Sequence, residues 1–219
     1  ATATTDVRST NSTLRIDDST DRVAFDDPII VTGEVRAAAV PVPAVDVTVR
    51  TGGSALATTR TEPDGSFRAV ARTPVTMTPG TRTITVRASG SGRAIGVSRA
   101  STTLTVVETA TELGVSGTVT DSAIRVSGRL TTDATAEVGT RPITVRIENE
   151  TLEVRTDPDG RYRVSTEPPA DPEAVTVTAT YNESGTSLAP SRGEATAEYQ
   201  VAESQPPSAG AESAVSGLL

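Results

Sequence analysis

The sequence predicts an all-β protein in which two similar β-sandwich domains, each of about seven strands, follow one another along the chain. Three observations predict this fold. Apolar and polar residues alternate in short segments, turn-forming residues recur at short intervals, and the phrase Thr61–Ala69 returns in closely similar form as Thr156–Val164. The 219 residues are enough for two small domains.

Strict alternation of side-chain character marks the clearest strands. Apolar and polar residues alternate through Val45–Arg50, and the same pattern appears in Ile84–Ala88, Ile143–Ile147 and Val175–Ala179. Successive side chains of a strand point to opposite faces, so this period of two predicts strands with one buried face.

A repeat of about 95 residues divides the chain. "VTGEV" at Val31–Val35 matches "VSGRL" at Val126–Leu130, and the two copies of the nine-residue phrase have the same spacing. We therefore expect an N-terminal extension at 1–9, one domain at 10–107, a second domain at 109–203 and a flexible C-terminal linker at 204–219.

Each copy of the phrase contains a Pro-Asp-Gly turn. Proline presets φ, aspartate suits the next position, and glycine takes the positive φ that closes the turn. The predicted structural turn residues are Pro63, Asp64 and Gly65 in the first copy and Pro158, Asp159 and Gly160 in the second.

The strands on either side of this turn are predicted to form a hairpin. In the second copy, Thr151–Arg155 and Arg161–Val164 would be paired neighbours whose register the turn determines. The alternation then directs Tyr162 into the core, as it directs Phe67 in the first copy.

A strand followed by Thr-[Asp/Glu]-Pro-Asp-Gly-x-[Phe/Tyr]-Arg resembles the immunoglobulin-like and carboxypeptidase-regulatory-like modules of prokaryotic surface proteins. Pro63–Phe67 and Pro158–Tyr162 carry this resemblance, which covers residues 10–203. Tandem copies resemble those of haloarchaeal membrane-anchored proteins. The resemblance implies two tandem immunoglobulin-like domains, an extracellular location at the cell surface, and no catalytic residues to carry over.

The composition removes most catalytic chemistry. The chain contains no His, Cys or Trp, so it has no imidazole base, no thiolate and no Cys/His metal site. No Ser-based triad or carboxylate pair is recognisable by its spacing. We expect no enzymatic activity and no cofactor.

The charge indicates a halophilic origin. All 20 basic residues are Arg, the chain has 28 acidic residues, and its net charge is −8. Short carboxylate side chains hold water and cations at high salt, where screening weakens their mutual repulsion. The composition is typical of haloarchaeal proteins, although a GC-rich bacterial genome also replaces Lys with Arg.

An acidic stretch before the predicted strand Ile29–Val35 offers hard oxygen ligands of the kind that bind Ca²⁺. Its spacing matches no calcium loop and the second domain has no counterpart, which favours a solvated loop. The weak metal candidates there are Asp17, Asp18, Asp21, Asp26 and Asp27.

Two other acidic patterns invite a metal interpretation. Asp157 and Asp159 have the spacing that opens an EF-hand loop but lack its later glutamate, so the turn interpretation is favoured. Glu108, Glu112 and Asp121 are candidates for a cation bridge between the domains, although scattered acids are ordinary in so acidic a chain.

All three asparagines of the chain begin Asn-x-Ser/Thr sequons. Asn149 and Asn182 fall on predicted loops and Asn11 precedes the first strand, so Asn11, Asn149 and Asn182 are predicted N-glycosylation sites. The alternative is coincidence in a Thr-rich chain. N-linked glycans would require export across a membrane.

Other ligands find little support. Nucleic-acid binding has the wrong net charge and lacks an aromatic platform. Sugar stacking has only Tyr181 and Phe25 as weak candidates. Arginines at matched positions, such as Arg60 and Arg155, are expected to pair with acids across strands.

The function predicted from the sequence is a non-catalytic extracellular spacer or docking module of a haloarchaeal surface protein. A membrane anchor beyond residue 219, and other surface domains or copies of the chain as partners, belong to this prediction. One alternative is a surface filament or adhesin subunit in which Ala1–Ser12 adds as a strand to the next subunit. Another is an accessory domain of an exported enzyme.

Overall fold

The computed structural model describes residues 9–90, 94–168 and 174–200, and every regular element in those residues is a β-strand. The strands of the first domain are β1 (Ser12–Ser19), β2 (Arg22–Val23), β3 (Pro28–Ala37), β4 (Val40–Pro41), β5 (Asp46–Thr51), β6 (Ser54–Arg60), β7 (Ser66–Arg72), β8 (Gly80–Ser89) and β9 (Ser98–Val106). Those of the second are β10 (Thr111–Val119), β11 (Ile124–Thr132), β12 (Pro142–Ile147), β13 (Glu150–Arg155), β14 (Arg161–Thr166), β15 (Val175–Tyr181) and β16 (Ser191–Tyr199). The described residues contain no helix that could cross a lipid bilayer.

The same strand arrangement occurs twice. In the first domain β1, β3 and β7 form one sheet with β4 at its side, and β2, β9, β8, β5 and β6 form the other. The matching layers of the second domain are β10, β11 and β14, and β16, β15, β12 and β13. A short parallel contact closes each sandwich along one side, β2 with β9 and β10 with β16. The prediction of an all-β fold with tandem sandwich domains is confirmed.

Each domain has its own core. The buried cluster of the first domain consists entirely of residues between Val23 and Val106, mostly Val, Ile and Ala from the inward faces of the two sheets. The buried cluster of the second domain lies between Leu113 and Ala197, with one exception, Phe25 from the first domain. Burial of these apolar side chains is the main source of stability in both domains.

The predicted hairpin around the Pro-Asp-Gly turn is wrong. In the first domain β6 pairs with β5 whereas β7 pairs with β3, and in the second domain β13 pairs with β12 whereas β14 pairs with β11. The turn therefore carries the chain from one sheet of the sandwich to the other. Alternation predicts which face of each strand is buried, but it does not predict which strand lies beside it.

An aromatic residue lies over a glycine at the same place in both domains. Gly33 is the cross-strand partner of Phe67, and Gly128 is the partner of Tyr162. A Cβ at Gly33 would overlap the carbonyl oxygen of Arg15 and press on the Phe67 ring. A Cβ at Gly128 would overlap the carbonyl oxygen of Gly114 and press on the Tyr162 ring. Both aromatic rings are buried, which confirms their predicted direction.

Candidate functional site

The connection between the two domains is short and fixed by backbone hydrogen bonds. Val107 N–H donates to the Val23 carbonyl at 2.8 Å, so the chain is still attached to the first domain where it leaves β9. Two residues later Thr109 N–H donates to the Ser187 carbonyl at 2.7 Å, and Thr109 accepts from Ala189 N–H at 2.8 Å. Of the residues between β9 and β10, Glu108 and Ala110 are exposed, Val107 is half-buried and Thr109 is buried.

Phe25 lies in the loop between β2 and β3 of the first domain, but its ring belongs to the core of the second. It is 8% exposed and is part of the second domain's buried cluster. Its backbone N–H donates to Thr109 Oγ1 at 2.9 Å. One aromatic side chain thus removes a large apolar area from water across the interdomain boundary.

Asp26 adds polar contacts beside Phe25. Its backbone has a φ of 66°, which for a residue other than glycine is uncommon outside tight turns. Its Oδ2 accepts from Ala136 N–H at 3.2 Å and from the Thr135 hydroxyl at 3.3 Å, both in the second domain. The guanidinium of Arg72 donates to the Asp26 carbonyl at 2.8 Å, which holds the loop against its own domain.

A second loop of the first domain, between β7 and β8, completes the contact. Val75 packs against the second domain's core, and its carbonyl accepts from Ser187 N–H at 2.9 Å and from Ser187 Oγ at 3.3 Å. Ser187 is 0% exposed as a result. We call the contacts of Phe25, Asp26 and Val75 with the second domain the interdomain joint.

The second domain holds its side of the joint in place with a partly buried ion pair. Arg141 Nη1 lies 3.1 Å from Glu183 Oε2, and Arg141 Nε donates to the Val138 carbonyl at 2.7 Å. This links the β11–β12 loop to the β15–β16 loop that contains Ser187. The Tyr181 hydroxyl contacts Glu183 and Thr186 beneath them, and burial raises the pKa of Tyr181.

The repeated phrase contributes a buried threonine that was not among the residues predicted to be important. Thr61 Oγ1 donates to the Val42 carbonyl at 2.6 Å and accepts from Val45 N–H at 2.9 Å. Thr156 does the same, donating to Gly139 at 2.8 Å and accepting from Arg141 N–H at 2.7 Å. The threonine, which directly follows β6 or β13, therefore holds two residues of the loop that precedes β5 or β12.

The turn itself has one geometry in both copies. Gly65 and Gly160 have φ of 80° and 79°. Gly65 accepts from Val35 N–H and Gly160 from Leu130 N–H, each at 2.9 Å, so the turn docks on the neighbouring strand β3 or β11. A Cβ on either glycine would collide with that strand's backbone. The turn thus has the same conformation and the same hydrogen bond to a neighbouring strand in both domains. We infer that the phrase serves the folding of each domain.

The five aspartates proposed as calcium ligands do not converge. Asp17 forms an ion pair with Arg15, Asp18 caps Ser19 N–H, Asp26 faces the second domain and Asp27 accepts from Ala24 N–H. Asp21 is exposed near the start of β2, where its carbonyl accepts from Thr105 N–H. Among the residues that the structure describes, no three acidic side chains come close enough to share a metal ion.

Three of these acids, Asp17, Asp18 and Asp21, lie in a segment that is longer in the first domain than in the second. Leu14 and Leu113 occupy the same place opposite Val35 and Leu130, yet nine positions separate Leu14 from Val23 and only six separate Leu113 from Val119. The first domain thus has three additional residues here, together with a register shift after Ile16. The corresponding stretch of the second domain, Gly114–Thr118, contains no acidic residue.

The other acidic candidates also serve local contacts. Asp157 Oδ1 accepts from Arg161 N–H at 2.8 Å inside the turn. Glu108 and Glu112 are exposed near the joint, whereas Asp121 lies beyond the opposite end of β10 and accepts a hydrogen bond from Tyr199. The structure therefore separates the three residues of the proposed interdomain cation bridge.

The aromatic candidates for sugar stacking are corrected by the structure. Tyr181 is 0% exposed, and Phe25 is covered by the second domain, so neither offers a ring face to solvent. Phe25 stood outside any clear alternating segment and is buried by the other domain, whereas Tyr181 continues the alternation of Val175–Ala179 by one step and lies on the inward face of β15. Arg60 pairs with Asp46 across β5 and β6 at 2.7 Å. Arg146, which matches Arg50 of the first domain, donates instead to the Glu148 carbonyl at 3.1 Å.

All three sequon asparagines are exposed. Asn149 lies at the tip of the β12–β13 hairpin, Asn182 begins the β15–β16 loop, and Asn11 directly precedes β1. The segment proposed for strand addition is partly used by its own domain, because Thr10 exchanges backbone hydrogen bonds with Ala94 and Gly96 and Ser12 opens β1. Residues 1–8 of that segment, and the linker at 204–219, lie outside the described residues.

The paired sheets, their parallel closing contacts and the repeated strand order define a tandem of immunoglobulin-like β-sandwich domains. Residues 8–104 match the sequence profile of the family described as archaeal bacterial Ig-like domain. A search of curated proteins finds no match to the chain.

Solved structures share the fold at low sequence identity. A tetra-tandem repeat from the extending region of a large adhesion protein superposes with a TM-score of 0.51 at 18% identity, covering 88% of this chain and 50% of that one. The Yersinia pseudotuberculosis adhesin InvE has a TM-score of 0.47 at 18% identity, covering 87% of this chain and 59% of its own. The chain thus spans between one half and two thirds of the length of these structures.

Proposed function

We propose that this chain is a non-catalytic structural module, a two-domain spacer of a haloarchaeal cell-surface protein. The interdomain joint is the observation that carries the proposal. A connection with hydrogen bonds on both sides of Glu108, together with Phe25 in the neighbouring core, favours one orientation of the two domains over many. Interfaces between domains that are small and polar permit relative motion, whereas a buried aromatic contact restricts it.

The nature of the similar proteins supports this role. The family matched by the first domain is archaeal, and the repeat that superposes with a TM-score of 0.51 comes from an extending region. A region that extends an adhesion protein needs domains that keep a fixed distance between its two ends. A joint such as this one supplies that property without any binding site for a small molecule.

A stiff joint can be measured directly because the chain has no cysteine of its own. Arg68 and Arg163 are exposed at matched positions of β7 and β14, so Arg68→Cys and Arg163→Cys together place one spin label on each domain. Double electron–electron resonance at high salt should give one narrow distance distribution. Adding Phe25→Ala should broaden it, because the aromatic contact across the joint is lost.

The matched control is Val40→Ala, which truncates a side chain that is 64% exposed in β4, a strand that contributes no residue to the interdomain joint. It should leave the distribution narrow. A broad distribution in the doubly labelled chain with Phe25 intact would contradict the spacer proposal, since the two domains would then move independently.

The haloarchaeal setting makes a separate prediction. The 28 acidic residues and the net charge of −8 should destabilise the fold at low ionic strength, where like charges are not screened. We expect the melting temperature to rise steadily from dilute buffer to molar KCl. A melting temperature that is independent of salt would contradict the halophilic origin but not the spacer role.

Export to the cell surface is tested by the sequons. Asn11, Asn149 and Asn182 are all exposed and stand outside the cores, so a glycan on any of them leaves the packing unchanged. We expect mass spectrometry of the native protein to find hexose-containing adducts on at least one of these asparagines. Unmodified asparagine at all three positions would remove this support for an extracellular location.

A further inference from the structure

The N-terminal ends of the two domains are built from the same hydrogen bonds. In the second domain Thr109 bridges Ser187 and Ala189, donating to one carbonyl and accepting from the other residue's N–H. In the first domain Thr10 bridges Ala94 and Gly96 in the same way, with both bonds at 2.8 Å. Each threonine thereby forms an isolated parallel bridge with the loop before the last strand.

The next residues along the chain extend this correspondence. Ser12 Oγ donates to the Gly96 carbonyl at 2.6 Å and lies 3.0 Å from Ser98 Oγ. Thr111 Oγ1 has the equivalent partners, the Ala189 carbonyl at 2.9 Å and the Ser191 hydroxyl at 2.6 Å. The surface that receives the first domain at the joint is therefore present a second time, at the start of the first domain.

The two surfaces differ in whether they are covered. Ser187, Thr109 and Leu188 are buried because Phe25 and Val75 of the first domain lie on them. Their counterparts in the first domain are open to solvent: Ala94 and Thr10 are exposed and Ile95 is half-buried.

Exposed aliphatic side chains cluster at the same end of the first domain. Val40 is 64% exposed and Val97 is 50% exposed, so at least half of each residue's surface is in contact with water. Val40 pairs with Ala37, which in turn pairs with Ser12, and Val97 follows Gly96 directly. Apolar surface next to a preformed set of backbone donors and acceptors is typical of a docking site.

We propose that the N-terminal end of the first domain is a docking surface for the C-terminal end of another immunoglobulin-like domain, joined in series ahead of β1. We call this surface, formed by Thr10, Ala94, Ile95 and Val97, the open socket. The occupant would place an aromatic ring and a loop carbonyl where Phe25 and Val75 lie at the interdomain joint. This goes beyond a two-domain spacer, because it assigns a partner and a direction of growth.

The described part of the second domain does not qualify as that occupant. The loop after Val23 contains Phe25, whereas the loop after Val119 is a tight turn closed by a hydrogen bond from Thr120 N–H to Ala123. Asp121 in that turn binds Tyr199 instead of projecting an apolar group. In its described residues, a second copy of the chain therefore has no counterpart of Phe25 in this loop to place in the open socket.

Covalent connection also favours an occupant in series. One ring, one aliphatic side chain and a few hydrogen bonds are far less than the roughly 1,000 Å² needed for a stable contact between separate molecules. A short connection such as Val107–Ala110 supplies a high effective concentration and makes the small contact sufficient.

A glycan on Asn11 is compatible with docking. Asn11 corresponds to Ala110 in the second domain, since each follows the bridging threonine. Ala110 stays exposed even though the first domain occupies the joint. The side chain at this position therefore points away from the docked domain, and a glycan there would flank the contact.

The test uses single cysteines at matched positions, Ala94→Cys in the open socket and Ser187→Cys at the joint. Each is measured in the full chain and in an extended chain carrying an extra copy of residues 9–108 directly before Thr10. The extra copy contains all the residues of the first domain's own core, so it has what it needs to fold. The readout is the rate of thiol labelling at high salt.

In the full chain we expect the thiol at position 187 to react about 100-fold more slowly than the thiol at position 94, because labelling there requires the joint to open. In the extended chain the thiol at position 94 of the original copy should become protected to a similar degree. Phe25→Ala in the added copy alone should restore its reactivity and leave position 187 unchanged.

Three outcomes would overturn the proposal. One is a thiol at position 94 that reacts equally fast in both chains while position 187 stays protected. The second is protection of position 94 that survives Phe25→Ala in the added copy. The third is protection of position 94 that appears in the full chain as its concentration rises, which would indicate a second copy as the occupant. Loss of protection at position 187 in the full chain would instead contradict the interdomain joint and with it the spacer role.

Discussion

The two domains are nearly interchangeable in their interiors and different at their ends. Inside, Phe67 over Gly33 is matched by Tyr162 over Gly128, and the turn glycines have φ within a degree of each other. At the ends, the first domain has Phe25 in its β2–β3 loop, where the second has the short turn that contains Asp121. These matched residues serve the folding of each domain, whereas Phe25, which is present in one copy, serves the contact between domains.

The largest effect should come from the glycine beneath each aromatic ring. Gly128→Ala should destabilise the second domain by at least about 3 kcal/mol, because its Cβ would overlap the carbonyl oxygen of Gly114 and the Tyr162 ring, and neither the backbone nor the core can yield cheaply. Gly33→Ala should do the same to the first domain.

Hydrogen exchange measured strand by strand would separate the two domains. Gly114→Ala is the control, because the nearest atom to its added Cβ would be the Arg129 carbonyl oxygen at 3.6 Å, an ordinary contact. If Gly33→Ala and Gly128→Ala proved as mild as Gly114→Ala, the equivalence of the two cores would be wrong.

The next effect breaks the symmetry between the domains. Phe25→Ala should destabilise the second domain by about 2–3 kcal/mol although residue 25 belongs to the first, because its ring lies in the second domain's core. Hydrogen exchange should accelerate most in β10–β16. Acceleration confined to β1–β9 would show that the ring stabilises its own domain instead.

A smaller and matched effect is expected at the buried threonines. Thr61→Val and Thr156→Val keep the shape of the side chain but leave a carbonyl and an N–H without their partner, which costs about 1–2 kcal/mol in each domain. Thermal unfolding should show each change only in its own domain. The exposed Thr58 provides the control, since Thr58→Val should change the melting temperature little.

The smallest expected effect is a difference between the domains in how stability depends on pH, because one has Tyr162 where the other has Phe67. The Tyr162 hydroxyl donates to the Gly114 carbonyl at 3.0 Å, and burial raises the pKa of Tyr162 to about 12. In the unfolded chain a tyrosine loses its proton near pH 10, whereas the buried Tyr162 keeps its proton to higher pH. Between these two pH values deprotonation stabilises only the unfolded state. The second domain should therefore lose stability as the pH rises from about 10 to about 12, whereas Phe67 spares the first domain this loss.

Tyr162→Phe tests this difference. It should cost about 1 kcal/mol near neutral pH through the lost hydrogen bond and should weaken the alkaline loss of stability in the second domain. Urea unfolding at pH 8 and pH 11 measures both. An unchanged alkaline loss in the variant would assign it to other groups, with the buried Tyr181 the first to examine.

The sequence predicted the features that depend on neighbours along the chain. The all-strand fold, the duplication, the turn residues and the burial of Phe67 and Tyr162 follow from a period of two and from local turn chemistry. It failed where a residue's partner is distant. Phe25 was a candidate for exposure, yet it is buried by a second domain that no local pattern brings against it. Tyr181 was also a candidate, although it extends the alternation of Val175–Ala179 and its burial could have been predicted.

What the sequence by itself determined is therefore which residues form strands, which faces are apolar and how many times the unit occurs. Only the tertiary structure decided that the Pro-Asp-Gly turn crosses between sheets, that Thr61 and Thr156 bond the preceding loops, and that Phe25 enters the second core. The physical reason is that alternation is a property of one strand. Pairing and docking are set by the free energy of contacts between segments far apart in sequence.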